Sequence, residues 1–358
     1  VKLLKGIKII DFTRLLPGPL ATHLLAQMGA EVIKIESPKR MDYARYLGPQ
    51  IDDANYMFHQ LNHNKESVIV DYNSPDGKVE IIELIRSADA VIEQFRPGAM
   101  DAWGLGYESL KRENPALVYL SITGYPSKGK YSGEAGHDFN YMAYSGIMSL
   151  LKDEDGKPIV PGTQFADIAG AYMAVMALQG AIIQQLKTGR GCEVNVPLAN
   201  AMNPFLTLPF SLQSGGLNHE QTNIINGKVA VNYAAYQCAD GKWLSLAALE
   251  MKFWNNFCDA VARPDWKTEN QFDLIHVAFD KSKIEALFQS KTRDEWVAHF
   301  KGLDVCVAPI LELEELEDSE FHKDGKTFES ISTKNGHPLK SIAVPFSVSD
   351  DQLPKDEL

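Results

Sequence analysis

Residues 6–35 read GIKIIDFTRLLPGPLATHLLAQMGAEVIKI. The β-branched, apolar run Gly6–Phe12 predicts a strand, Pro17-Gly18-Pro19 a turn, Leu20–Met28 a helix, and Glu31–Ile35 a second strand. A helix between two strands makes them parallel neighbours, because a crossover needs an intervening element of that size. The same alternation continues outward. Ser67–Val70 predicts a strand, Ser74-Pro75-Asp76 opens a helix over Pro75–Ser87, and Ala88–Ile92 and Ala116–Ile122 predict two more strands. The expected fold class is α/β, with a large doubly wound, Rossmann-like lobe and ligands at the carboxyl ends of its strands.

The loop after the first strand carries no dinucleotide fingerprint. Thr13-Arg14-Leu15-Leu16-Pro17-Gly18 stands where G-x-G-x-x-G would be, which removes the best sequence support for hydride transfer. Thr163–Leu186 predicts a long buried helix rich in small residues, stopped by glycine in Lys187-Thr188-Gly189-Arg190-Gly191. It is interrupted by Gly and Gln, so it reads as core rather than as a membrane span. Glu193–Val196 predicts a strand closing the lobe. From Gly215 to Asn226 the composition turns to Gly, Asn, Ser and Gln without period, which predicts a linker. Beyond it, Ala234–Cys238 and Trp243–Ala247 predict a hairpin around Asp240-Gly241. Helices are expected at Met251–Ala262, Asp280–Gln289 and Thr292–Lys301, and strands at Cys306–Ile310 and Ile342–Val344. The expected domains are a large lobe over 1–200, a linker over 201–228, a smaller α+β lobe over 229–304, and a return segment over 305–358 that rejoins the large lobe.

A net charge of −12 argues against nucleic acid as a partner, since that binding relies on clustered Lys and Arg. The four cysteines lie far apart and form no C-x-x-C pair, which points away from a metal site or disulfide framework and towards a reducing, cytoplasmic setting. The N-terminal stretch has no signal-peptide pattern. Lys355-Asp356-Glu357-Leu358 spells the ER-retention tetrapeptide, but that address is read only after delivery to the lumen.

Three spaced phrases carry the candidate chemistry: GHDFNYMAYSG with His137 and Asp138, GTQFADIAGAYMA with Asp167, and LSLAALEMKFW with Glu250. Taken singly, each has a plain structural reading. His137 would bond nearby backbone, Asp138 would cap a helix starting at Phe139, and Glu250 would be a surface or capping residue. Asp167 lies in the first turns of the long helix among apolar neighbours. Burial would raise its pKa and the helix terminus would lower it, opposed effects that suit a base or nucleophile. A neutral His and a carboxylate on opposite sides of one carbon could remove a proton from one face and return it to the other. Possible handles for a phosphorylated ligand are Asn62-His63-Asn64-Lys65, Lys39 and Arg40, and Arg96 in Gln94-Phe95-Arg96-Pro97-Gly98.

Together these phrases resemble the family III CoA-transferases. The resemblance runs through LKGIKIIDFTRLLPGPLATHLLAQMGAEVIKIESP, LNHNKESVIVDYNSPDGK, ADAVIEQFRPGAMDAWGLGYESL, NPALVYLSITGY, ADIAGAYMAVMALQGAIIQQLKTGRGCEV and DVCVAPIL, from residue 3 to about 310. Gly136–Tyr141, Ala166–Gly170 and Ala248–Trp254 are most similar to the 2-methylacyl-CoA racemase branch. The resemblance implies an interlocked homodimer and an acyl-CoA substrate, with coenzyme A as the handle and no permanently bound cofactor. It implies His137 and Asp167 as the two bases, Asp138 and Glu250 as tuning groups, and Leu15, Lys39, Arg40, Asn62, Lys65 and Arg96 as contacts to CoA. The same Asp167 serves an alternative, CoA transfer to a carboxylic acid through an aspartyl anhydride. The glycine flap of the formyl-CoA transferase branch is reduced here to Ser214-Gly215-Gly216. A non-catalytic CoA-binding protein is the third reading.

Overall fold

The computed structural model describes residues 2–153, 155–217, 230–269 and 280–348. Contacts divide the chain into two units, Val1–Leu206 with Phe321–Leu358, and Thr207–Glu320.

The first unit is built on six parallel strands: β1 (Lys8–Asp11), β2 (Glu31–Glu36), β3 (Glu66–Ile69), β4 (Ala90–Glu93), β5 (Val118–Thr123) and β6 (Glu193–Pro197). Their order is β3-β2-β1-β4-β5-β6, and the register sets Ile10 opposite Ile33 on one side and Val91 on the other. The order reverses between β1 and β4, so the crevice expected of such a sheet opens beyond Asp11 and Glu93. β4 and β5 are buried along their whole length, as fits strands covered on both faces. Helix α1 (Pro17–Gln27) starts three residues before the expected Leu20. Pro17 is the first helical residue rather than part of a preceding turn, because a missing N–H costs nothing there. Helices α2 (Tyr56–Asn62), α3 (Pro75–Arg86), α4 (Tyr107–Glu113), α5 (Asp138–Ser145) and α6 (Phe165–Thr188) follow.

The 24 residues of α6 pass a length-and-apolarity test for crossing a membrane. Its small-residue face (Ala166, Ala169, Gly170, Ala174) is nonetheless buried in the core formed with β1, β4 and β5. At Gly170 an added Cβ would stand 2.1 Å from Leu198 Cδ2, so the close approach requires glycine.

The region expected to be a linker from residue 201 is largely helical as far as Ser214: Leu198–Ala201, a short turn at Asn203–Leu206, and α7 (Thr207–Ser214). Residues 218–228 of that expected linker and the tetrapeptide at 355–358 lie outside the described residues. In the second unit, β7 (Tyr233–Gln237), β8 (Trp243–Ala247) and β9 (Val307–Ile310) form an antiparallel sheet with β8 central. Helices α8 (Met251–Ala260), α9 (Lys281–Phe288) and α10 (Arg293–Phe300) bury Trp254, Phe257, Phe288, Trp296 and Phe300 in one core.

The return to the first unit begins at Phe321, not near 305, because β9 is held by ladder bonds to β8. After it, β10 (Phe328–Ser332) pairs with β11 (Pro338–Ile342), so the strand expected at Ile342–Val344 ends at Ile342. Gln27 Nε2 and Gln60 Nε2 donate to the carbonyls of Ile342 and Lys340, tying this hairpin to α1 and α2.

Candidate active site

A cleft of about 520 Å³ opens at the carboxyl ends of the strands in the first unit. Leu15 and Pro17 after β1, Gln94 to Pro97 after β4, Thr123 to Tyr125 after β5, and His137, Asp138, Tyr141 and Asp167 line it. The topology explains the position: β1 and β4 diverge at the switch point, and the loops leaving their ends form the walls.

His137 is the extended N-cap residue of α5, with φ −126° and ψ 176°. Its backbone N–H donates to Asn140 Oδ1 at 3.1 Å, and its ring is exposed. Asp138 is the first residue of α5, so it does not cap a helix beginning at Phe139. Its carboxylate caps α6 instead. Asp138 Oδ1 accepts from Ala166 N–H at 2.7 Å and Asp167 N–H at 3.0 Å. The side chain of Gln164, at the N-cap position of α6, makes no capping bond, so Asp138 supplies from a distant segment what the local residue does not.

This arrangement sets the state of Asp167. Burial raises its pKa and the neighbouring Asp138 charge raises it further, to about 7. The lowering expected from the helix terminus does not win, because the N–H groups that would favour an Asp167 anion are already bonded to Asp138. Tyr141 completes the cluster. Its hydroxyl donates to the Gly136 carbonyl, and burial, then the Asp167 charge, push it up to about 12. An added Cβ at Gly124 or Gly136 would lie 2.6 or 2.7 Å from its ring, which accounts for both glycines.

The β1–α1 wall is fixed at several points. Leu15 has φ +66°, the left-handed region that Leu avoids. Its N–H donates to Asp42 Oδ1 at 3.0 Å. Asp42 is fully buried and pairs with the equally buried Lys34 at 3.0 Å, while Lys34 Nζ also donates to the Thr13 carbonyl at 2.7 Å. Gln94 bridges the loop from the other side, donating to the Arg14 carbonyl and accepting from Gly18 N–H at 3.0 Å. Leu15 and Arg96 therefore stand on the cleft, with the Arg96 side chain exposed.

The other expected handle residues are placed elsewhere. Lys65 and Asn62 are buried in the first unit and do not line this cleft: Lys65 Nζ contacts Pro19 O at 2.9 Å, Thr22 Oγ1 at 2.7 Å, Asn62 Oδ1 at 2.9 Å and Asp11 Oδ2 at 3.3 Å. An ammonium so enclosed must spend its donors internally. Burial lowers its pKa to about 8 against the opposing pull of Asp11. Lys39 and Arg40 are exposed after β2, outside the residues lining the cleft, and Lys39 pairs with Asp71 at 2.8 Å. Glu250 belongs to the second unit, where it is the exposed N-cap residue of α8 and makes no side-chain capping bond. Among the described residues no group of His, Cys, Asp and Glu is arranged to hold a metal ion.

Sequence reasoning assigned no role to Tyr141, Gln94 or Asp42. Tyr141 sits inside the GHDFNY phrase and Gln94 directly follows β4, so motif membership and the strand-end position were the available signals. Asp42 carried none, since its partners Lys34 and Leu15 are distant in sequence.

The model for CoA-transferase family III matches residues 4–356. Alpha-methylacyl-CoA racemase from Homo sapiens is 29% identical, covering 96% of this chain and 88% of its own length. Succinate–glutarate CoA-transferase from Agrobacterium fabrum is 38% identical, covering 98% of this chain and 90% of its own. A CaiB/BaiF family protein from Brucella suis superposes with a TM-score of 0.82 at 29% identity, over 97% of this chain and 93% of that one.

Proposed function

The chain belongs to CoA-transferase family III, an enzyme family, and from that premise we propose that it exchanges the α-proton of a 2-methylacyl-CoA thioester and so racemises the α-carbon. The observation that carries this reading is Asp167, half-buried on the same cleft as His137 and held near pKa 7. A carboxyl poised there is present in both protonation states at neutral pH, which suits a group that takes a proton in one direction and gives it back in the other.

In the forward step one base removes the α-proton, and the C–H electron pair moves onto the thioester oxygen as an enolate. The conjugate acid of the other base then returns a proton to the opposite face, so the two bases exchange states each turnover. Asp138 keeps Asp167 from ionising early, and Glu250 is assigned a tuning role. CoA enters as part of the substrate, with Arg96 and the Leu15 loop as its contacts on the cleft. The partner is a second copy of the chain in a cytoplasmic homodimer. Supporting it, Phe165, Tyr172, Met176 and Ile183 recur on one side of α6 and are exposed, an apolar stripe of the kind that marks an interface.

The higher identity to a succinate–glutarate CoA-transferase favours a second reading. There the Asp167 carboxylate attacks the thioester carbonyl and CoA thiolate leaves, giving a mixed anhydride; the thiolate attacks its aspartyl carbonyl, releasing the donor acid and forming an aspartyl-CoA thioester; the acceptor carboxylate attacks that carbonyl and expels the thiolate, which takes the acceptor's acyl group and frees Asp167. Proton NMR in deuterium oxide separates the two. With 2-methylacyl-CoA alone, deuterium enters the α-position and optical purity falls, and His137→Ala stops exchange from one face. Exchange that is missing, with CoA transfer appearing once succinate is added, refutes racemisation.

A further inference from the structure

Enolate formation puts negative charge on the thioester oxygen, and so does attack of a carboxylate on the thioester carbonyl. Either reaction gains from a fixed hydrogen-bond donor aimed at that oxygen. Several neutral donors lining the cleft are already spent. Gln94 Nε2 donates to the Arg14 carbonyl, the Tyr141 hydroxyl to the Gly136 carbonyl, and the Thr123 hydroxyl to the Tyr125 carbonyl at 2.6 Å. Tyr43 and Asn140 line it too, but both are exposed, so water already serves them.

Tyr125 differs from these. It lines the cleft and is only 7% exposed, yet its hydroxyl has no hydrogen-bond partner among the described residues, and the oxygen remains accessible. The hydroxyl stands beside Gly136, where an added Cβ would lie 3.0 Å from Tyr125 Oη. Gly136 lines the same cleft and directly precedes His137, so the free donor sits next to one of the two bases. The ring is held by other tyrosines. Tyr141 and Tyr144 meet it edge-on with centroids at 5.3 and 5.4 Å, and Tyr131 lies at 6.2 Å. Burial, then the neighbouring Tyr144 and Glu134, push the phenol above its ordinary pKa, which keeps its proton in place.

We propose that the Tyr125 hydroxyl is a further catalytic group of this cleft and donates a hydrogen bond to the thioester carbonyl oxygen. The inference rests on the reading of the cleft as an acyl-CoA site. As the α-proton leaves, the C–H electron pair moves into the bond between the α-carbon and the carbonyl carbon, and the carbonyl π pair moves onto the oxygen that Tyr125 holds. As a proton returns to the α-carbon, both pairs flow back. Tyr125 keeps its own proton throughout. A fixed phenol suits this task because its dipole needs no reorganisation at the moment of reaction. Its hydroxyl is matched only when the ligand arrives, whereas largely buried polar groups are ordinarily matched within the protein.

The test compares the full native chain with Tyr125→Phe, using 2-methylbutanoyl-CoA isotope-labelled at the carbonyl carbon. Difference infrared spectroscopy reads the carbonyl stretch of the bound thioester, which should lie lower in the native chain than in the variant. Tyr125→Phe keeps the ring and loses no protein hydrogen bond, so its melting temperature should match the native one. Its α-proton exchange should slow about a hundredfold, the usual loss for one such donor, with KM little changed. An identical stretch in the two proteins overturns the proposal, and so does undiminished exchange in the variant. A native chain that exchanges no α-proton, yet shows the difference in stretch, refutes racemisation and leaves the Tyr125 contact standing.

Discussion

Replacing Asp138 tests the coupling between the two segments that meet at the cleft. Asp138→Ala deletes the acceptor for two N–H groups at the start of α6. Loss of a capping side chain costs about 0.5–2 kcal/mol, and loss of a negative charge at a helix N-terminus about 0.3–1 kcal/mol more. The variant also removes the charge that helps hold Asp167 near 7. The sign of that second effect depends on pH. Asp167 has a folded pKa above its unfolded value, so the folded state binds the extra proton between about pH 4 and pH 7 and loses stability as pH rises through that window. The upper limit on this loss is on the order of 4 kcal/mol for a shift of about three units, less what solvent screening removes. Taking away the Asp138 charge lowers the Asp167 pKa and recovers about 1.4 kcal/mol per unit at pH above 7.

Asp138→Ala should therefore destabilise more at about pH 5 than at about pH 8, where relief of like-charge repulsion offsets the lost cap. Asp138→Asn keeps an oxygen acceptor, so it should hold most of the stability while still lowering the Asp167 titration. Urea denaturation at the two pH values gives the first quantity, and carbon NMR of the Asp167 carboxyl gives the second. Equal destabilisation by Asp138→Ala at both pH values, or an unmoved Asp167 titration in Asp138→Asn, refutes the coupling.

Leu15→Gly removes the left-handed strain at φ +66° and should melt close to the native chain, whereas Leu15→Val places a β-branched residue in that region and should lose about 1–2 kcal/mol; thermal melts of the pair rank them. Gly136→Ala sets a methyl against the Tyr141 ring, so it should cost about 1–3 kcal/mol by chemical denaturation and depress turnover through displacement of Tyr141. Lys65→Met leaves buried Asp11 without its ammonium and should cost about 3–5 kcal/mol. A near-native melting temperature for Lys65→Met would mean that the network around Asp11 is not held by that charge.

Much of the fold was legible because its signals are local. Strand and helix periods in residues 6–35 and the capping serine at Ser74 announce the βαβ order, and β8 spans the expected Trp243–Ala247. The left-handed Gly189 ends α6 as its sequence suggests. What failed also failed for local reasons. A Pro-Gly-Pro reads as a turn unless the first proline is seen to be the first helical residue, and a strand at 307–310 could have joined either sheet until its partner was known.

By itself, the sequence determined the alternation of elements, the family phrases, and which residues have acid–base side chains, since periodicity and side-chain chemistry are properties of short segments. Only the tertiary structure decided which of those side chains meet. It brought Asp138 to the N-terminus of α6, and it buried Lys65 and Asn62 against Asp11, Pro19 and Thr22. The physical reason is that burial and charge neighbourhood fix the protonation of a carboxyl, and both are sums over segments that lie far apart along the chain.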